Sequence, residues 1–194
     1  EFIENMDTET VADIIEGMDV DDAVDALEEL DEDEQEEILA KIEDKELVDD
    51  IKLIQSYDDD EIGSKMTTNF HVAKINDSVT AIMKKLIHDA PENDNIAVIF
   101  VEDENNKYCG SILLKDLIIA RKNQTANDIV MTSYPSILDT TFVDDCIQEL
   151  QDYSVEMIPV LNEKEEIIGA LTSNDITEAM HEEFSEAFAQ FAGM

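Results

Sequence analysis

The sequence predicts an α + α/β protein: a bundle or superhelix of short helices, then a duplicated β-α-β-β-α unit, then a closing helix. Three observations carry this. Over the first 56 residues, apolar side chains recur at three and four residue steps behind successive Asp residues. From Gly63 onward, short apolar runs alternate with amphipathic stretches, and the two halves of that region repeat one another. From Asp175 to the end runs a single two-faced segment.

In the first region the punctuation is an apolar residue followed by acids: Met18-Asp19-Val20-Asp21-Asp22, Leu30-Asp31-Glu32-Asp33 and Ile42-Glu43-Asp44. Each Asp can cap a helix by accepting an orphan backbone N–H, and acids in the first turn suit the positive end of the helix dipole. Between the caps, Val11, Ile14 and Ile15, then Ala23, Ala26, Leu27 and Leu30, then Ile38, Leu39 and Ile42 form the apolar faces. The abrupt opening predicts a domain that begins further upstream.

In the repeat, Met66-Thr67 returns as Met131-Thr132, and Gly110 with Asp116 returns as Gly169 with Asp175. The first copy is longer, and the polar stretch Pro91 to Asn95 absorbs the difference. Each copy predicts an amphipathic helix (Val79 to Asp89; Asp144 to Tyr153) and an apolar strand (Ile96 to Val101; Met157 to Leu161). A polar turn then leads to a second strand ending near Leu114 or Thr172, and a helix opens at Lys115-Asp116 or Asn174-Asp175. In the closing segment Asp175, Glu178, Glu182 and Glu186 line one face, opposite Ile176, Met180, Phe184, Ala187, Phe188 and Phe191.

Composition narrows the function. The chain has 194 residues, 43% of them apolar, with 50 acidic residues against 12 basic ones. Residues 1–62 hold 27 of those acids and 3 of the bases, so the excess is concentrated rather than spread as a halophile's surface would be. Such self-repulsion makes cations the expected partners and argues against nucleic acid, which needs clustered Lys and Arg. The longest apolar run, Ile96 to Val101, is far short of the ~20 residues that cross a bilayer. Cys109 and Cys146 make no redox or metal spacing, which fits a reduced cytosolic setting. No nucleophile motif, phosphate loop or metal-spaced His cluster points to an enzyme. His71, His88 and His181 read as surface or packing residues, and Met66, Met83, Met131 and Met157 as core filler.

The ordered duplicate, with Met-Thr at each start, helix entries Asp77-Ser78-Val79 and Thr141-Phe142-Val143, and Gly-x-x-x-x-x-Asp at each end, resembles a tandem pair of CBS (cystathionine-β-synthase-type) domains. The segment from Met18 to Leu30, Tyr57 and the junction Ile62 to Thr67 resemble the helical domain of the MgtE family of magnesium transporters and its join to the first CBS unit. The stretch Asp175 to Glu186 is similar to the family's helix leading to the membrane pore. The resemblance implies a helical domain over 1–62, CBS domains over 63–122 and 123–174, and a connecting helix over 175–194. It also implies a homodimer on the cytoplasmic face of the membrane, joined to a transmembrane pore domain.

The regulatory ligand it implies is Mg²⁺, a hard cation that takes oxygen ligands and keeps several waters. Asp21, Asp22, Asp25, Glu28 and Glu29 fall on one arc of a helix, where like charges four apart repel until neutralised. By resemblance, Asp21, Asp25, Asp175, Glu178, Glu183 and Glu186 are the metal-contacting acids, with Asp144 at the start of a CBS helix. Ala187 stands where relatives carry an acid. The expected mechanism is charge relief, in which Mg²⁺ bridging acids between domains favours the closed state. The alternative is an adenine-nucleotide sensor, with ATP or a relative as ligand. Thr172 and Asp175 match the Thr-x-x-Asp that binds ribose in many CBS units. The first copy has Leu113 for the Thr, and Lys115 where ATP-binding relatives tend to carry Arg.

Overall fold

The computed structural model describes residues 6–91, 93, 95–145, 155–179 and 181. Two compact units divide the chain between Asp59 and Asp60. The first contains α1 (Thr8–Ile15), α2 (Val20–Glu28), α3 (Glu32–Lys41) and α4 (Lys45–Ile54). Asp7, Asp31 and Asp44 each accept backbone N–H groups of their helix's first turn at 2.9 to 3.2 Å. Asp19 stands at the N-cap of α2 with extended backbone but makes no side-chain cap bond, unlike the expected pattern. The helices pack alternately, α1 on α3 and α2 on α4, through Val11, Ile15, Leu27, Ile38, Ile51 and Ile54. Ile14, expected on the apolar face, is exposed because α1 buries Val11, Ala12 and Ile15 instead. Two polar links tie turns to helices: Glu16 accepts the backbone N–H groups of Glu43 and Asp44, and Gln55 donates to Gln35.

The second unit opens with a 3-10 turn, Ile62–Lys65. Then come β1 (His71–Lys74), α5 (Val79–Asp89), β2 (Val98–Glu102), β3 (Tyr108–Leu113), α6 (Leu114–Ile119), α7 (Ala126–Ile129), β4 (Ile137–Leu138), β5 (Met157–Leu161) and β6 (Ile167–Thr172). Residues 143–145 and 173–179 are helical. The rest of the helix expected at Asp144 to Tyr153 lies outside the described residues. Each copy forms a three-stranded sheet of identical plan, β1-β2-β3 and β4-β5-β6, with the first pair parallel and the second antiparallel. Both sheets shift register one residue before the polar turn, at Val101/Glu102 and Val160/Leu161.

The apolar run of β2 has two faces with different destinations. Ile99 and Val101 pack with Val79, Ile82 and Leu86 of α5, whereas Val98 and Phe100 join Tyr134, Met157 and Ala170, residues from both copies. Successive strand residues point to opposite faces, so a strand buried on both sides must be apolar throughout. Phe100 lies between Phe70, 5.7 Å away, and Tyr108, which meets it edge-on at 6.4 Å.

The two copies exchange their leading segments. Thr67 and Ala170 trade backbone hydrogen bonds at 2.9 Å, and Ile62 and Gly63 donate to Thr141 and Asp139, so the start of copy one is tied to copy two. Conversely, Ser111 and Met131 exchange bonds, and Val79, Ala126 and Asn127 bond to Gln124, Asp77 and Ile75. The two repeat glycines sit at these crossings. A Cβ on Gly110 would lie 2.6 Å from the Met131 carbonyl oxygen and 2.8 Å from Val130, and its φ of +146° suits only glycine. At Gly169 the obstacle is the Met66 side chain, whose sulfur would be 2.3 Å away. Met66 and Met157 fill core as expected; Met131 does not, being 41% exposed, because its backbone serves as the crossing strand.

Two predictions follow from these contacts. Gly110→Ala strains both backbone and neighbour and is expected to destabilise the second unit by about 2–4 kcal/mol. Gly169→Ala, opposed by a flexible thioether, is expected to be milder by about half; denaturant midpoints of the two variants check the order. Burial pushes the Tyr108 phenol up to about 12 and also raises Tyr134, whose hydroxyl donates to the Met157 carbonyl at 2.7 Å. The folded state therefore holds these protons above the point where an unfolded tyrosine releases them. Stability is expected to be unaffected below pH ~10 and to fall as pH rises toward 12, with phenolate absorbance from these two appearing only on unfolding.

Candidate functional site

The acids expected to hold a cation fall into three settings. On α2, Asp21 and Asp25 stand four residues apart and so neighbour one another on the helix surface. Asp25 is exposed; Asp21 is partly buried, and its Oδ1 is enclosed without a hydrogen-bond partner among the described residues. Burial pushes the Asp21 carboxyl up, and the charges of Asp22 and Asp19 add to the rise against its own backbone N–H and that of Asp22. An enclosed carboxylate oxygen lacking a partner costs about 1–3 kcal/mol or more, which a bound proton or cation relieves. The donor chemistry thus fits a hard cation.

In the second unit, Asp144 lies exposed in the first turn of the helix that starts at residue 143. Asp175 and Glu178 lie on helix 173–179, with Glu178 exposed. Asp175 is engaged locally: its Oδ2 accepts the backbone N–H of Thr172 at 2.6 Å, while its own N–H donates to Thr172 Oγ1 at 3.3 Å. This reciprocal pair satisfies two donors where β6 gives way to the helix, a capping role for both residues singled out as ribose ligands. Glu183 and Glu186 lie outside the described residues. Among the described residues, no three His, Cys, Asp or Glu side chains are grouped so as to hold a metal ion.

A second kind of site is a cleft of about 660 Å³ between the copies, lined by Val98, Leu114, Lys115, Tyr134, Pro135 and Glu156 among others. Its size lies within the ~300–1,000 Å³ of small-molecule sites, and its walls are mostly apolar with one cation and one anion. Lys115 comes from α6; Tyr134 and Pro135 come from the segment that crosses between copies behind Met131; Glu156 precedes β5. Thr172 and Asp175 do not line this cleft. Asp175 instead borders a cavity of about 10 Å³ with Ile62, Lys65 and Val143, too small for a sugar. Of these, Lys115 stands out in the sequence, whereas Tyr134 and Glu156 do not. Their only local signal was nearness to Met131-Thr132 and to the start of an apolar strand.

No helix among the described residues is long and apolar enough to cross a membrane. Residues 1–60 match the MgtE intracellular N domain, and residues 60–123 and 126–182 each match the CBS domain. The chain is 28% identical over 145 residues to magnesium transporter MgtE of Enterococcus faecalis, covering 75% of this chain and 32% of that protein. It is 24% identical over 147 residues to MgtE of Thermus thermophilus, covering 73% and 33%. The chain therefore spans about a third of the length of the curated relatives it matches. Among solved structures, the soluble part of a magnesium transporter superposes with a TM-score of 0.88 at 28% identity, over 94% of this chain and 71% of that one. The cytosolic domain of the Mg²⁺ channel MgtE in complex with ATP gives 0.85 at 22% identity, over 91% and 72%. The chain is thus an MgtE intracellular N domain followed by a pair of CBS domains.

Proposed function

We propose that this chain is the cytosolic Mg²⁺-sensing regulatory region of a magnesium channel or transporter, working as a homodimer attached to a transmembrane pore domain. The observation that carries the reading is the enclosed, unpartnered Oδ1 of Asp21 within an acid-rich helix. Asp21 and Asp25 of the N domain, Asp144 of the second CBS unit, and Asp175, Glu178, Glu183 and Glu186 of the closing segment are the proposed ligands. Mg²⁺ supplies two positive charges and a demand for hard oxygen donors. Each acid does two things: it offers an oxygen, and it repels its neighbours when uncompensated. With 50 acids against 12 bases, that repulsion biases the region toward an open arrangement at low Mg²⁺ and toward a compact, pore-closing one at high Mg²⁺. Weak sites acting together are enough, because the shift depends on the difference in affinity between the two states.

A second reading is favoured by the cleft at Lys115. A cavity of about 660 Å³ with an apolar wall, one ammonium group and Tyr134 suits a purine bearing phosphate, and a relative of this fold is an ATP complex. Lys115 serves as a point charge rather than the planar fork of Arg, so the base rests on apolar contact rather than on a stacked guanidinium. This reading adds to cation sensing and does not replace it.

Millimolar Mg²⁺ is expected to reduce the radius of gyration and slow proteolysis of the chain, while Na⁺ or K⁺ at equal ionic strength does neither. Asp21→Asn combined with Asp25→Asn is expected to raise the Mg²⁺ midpoint several-fold. Scattering curves and digestion rates that are indifferent to Mg²⁺ overturn the sensor reading. For the cleft, calorimetry should show ATP binding weakened by Lys115→Gln about tenfold or more, the loss of one charge-assisted hydrogen bond.

A further inference from the structure

His71 belongs to none of the sites above, yet it is the most confined titratable group of the first CBS unit. It opens β1 opposite Ile99 of β2, with its side chain 6% exposed. Nε2 is enclosed and has no hydrogen-bond partner among the described residues. Nδ1 lies 3.8 Å from Asp89 Oδ2, beyond hydrogen-bond reach, and the other oxygen of that carboxylate is taken at 3.0 Å by Nδ1 of His88. The remaining charged neighbours come from α5 and the turn before it. Lys85, whose ammonium donates to the Val72 carbonyl at 3.3 Å, and Asp77, which accepts the Lys74 N–H, border with His71 a cavity of about 150 Å³. β2 contributes only apolar side chains from Val98 to Val101. α5 therefore meets β1 across an imidazole that fits in its neutral form.

We propose that His71 is a proton-operated catch for the C-terminal half of α5: the imidazolium needs acceptors for both ring N–H groups, the enclosed Nε2 has none among the described residues, and the charged ring is accommodated only when α5 lifts from β1. The chemistry is one proton taken from solvent, with no bond otherwise made or broken. Burial lowers the imidazole's affinity for that proton, with Lys85 acting in the same sense and Asp89 opposing. The sign follows. The open state, with an ordinary imidazole, binds the proton more readily than the closed state, so closure is at full strength above pH ~6.5 and weakens as pH falls toward the depressed value. The cavity at His71 and the large cleft lie against different residues of β2, Ile99 for the first and Val98 for the second.

Hydrogen exchange on the 194-residue chain between pH 7.5 and 5, corrected for intrinsic rates, tests this without any ligand. Protection of the amides from Ile82 to Ala90 is expected to fall by up to about tenfold per pH unit below 6.5, while amides of β5 and β6 keep theirs. His71→Phe, which keeps a planar ring and removes the titration, is expected to flatten the pH dependence. Asp89→Asn removes the one favourable partner of the imidazolium and is expected to extend the loss to lower pH, without the change of ring that could upset packing in the Phe variant. The proposal is overturned if the wild-type profile is flat. It is equally overturned if the slope survives in His71→Phe, or if imidazole NMR shows His71 protonating near its ordinary value with α5 protection unchanged.

Discussion

The second unit depends on the exchange of leading segments between the two repeat copies. Thr67 bonds to Ala170 and Met131 to Ser111, so the last strand of each sheet is bridged by the leading segment of the other copy. Main-chain bonds of this kind require two backbones to approach within a few ångströms, and side chains must stay out of the way. Gly110 and Gly169 meet that requirement, the first with a carbonyl against it and the second with a methionine. The shared cluster of Val98, Phe100, Tyr134, Met157 and Ala170 then fills the space that the crossings enclose. A pair joined in this way folds as one body, and its cleft is built from both halves.

The N-terminal unit is organised by a different constraint. Its helices are short and strongly acidic, and many of the acids do structural work at helix starts, where Asp7, Asp31 and Asp44 satisfy N–H groups that a helix cannot satisfy itself. Among the carboxylates of this unit Asp21 stands apart because burial and like charge oppose its ionisation together. Excess charge is thus divided between capping and an unresolved repulsion. The second share makes this region responsive to cations in the proposed reading.

The closing helix shows how one residue can be read in two ways. Thr172 and Asp175 look like ribose ligands in a linear motif, yet they bind each other across the start of helix 173–179. The cleft large enough for a ligand lies at the equivalent place in the other copy, beside Lys115, where the motif is imperfect. Pseudo-symmetric copies share a backbone plan without sharing a cavity, because the 3-10 turn Ile62–Lys65 abuts one and the Met131–Pro135 segment lines the other.

The sequence by itself determined what depends on near neighbours along the chain. Apolar period marked α5 to the residue, continuous apolar runs marked β2 and β5, and duplicated Met-Thr and Gly-Asp signals marked the repeat. It also exposed the charge imbalance, since charge is additive over composition. It did not reveal that Asp19 makes no cap bond, that Met131 is exposed, that Tyr134 and Glu156 face a cleft, or that His71 is shut in with one nitrogen unpartnered. Those facts belong to tertiary structure because each depends on a group far away in sequence: exchanged segments and opposed sheet faces decide which atoms meet, and no local pattern encodes that.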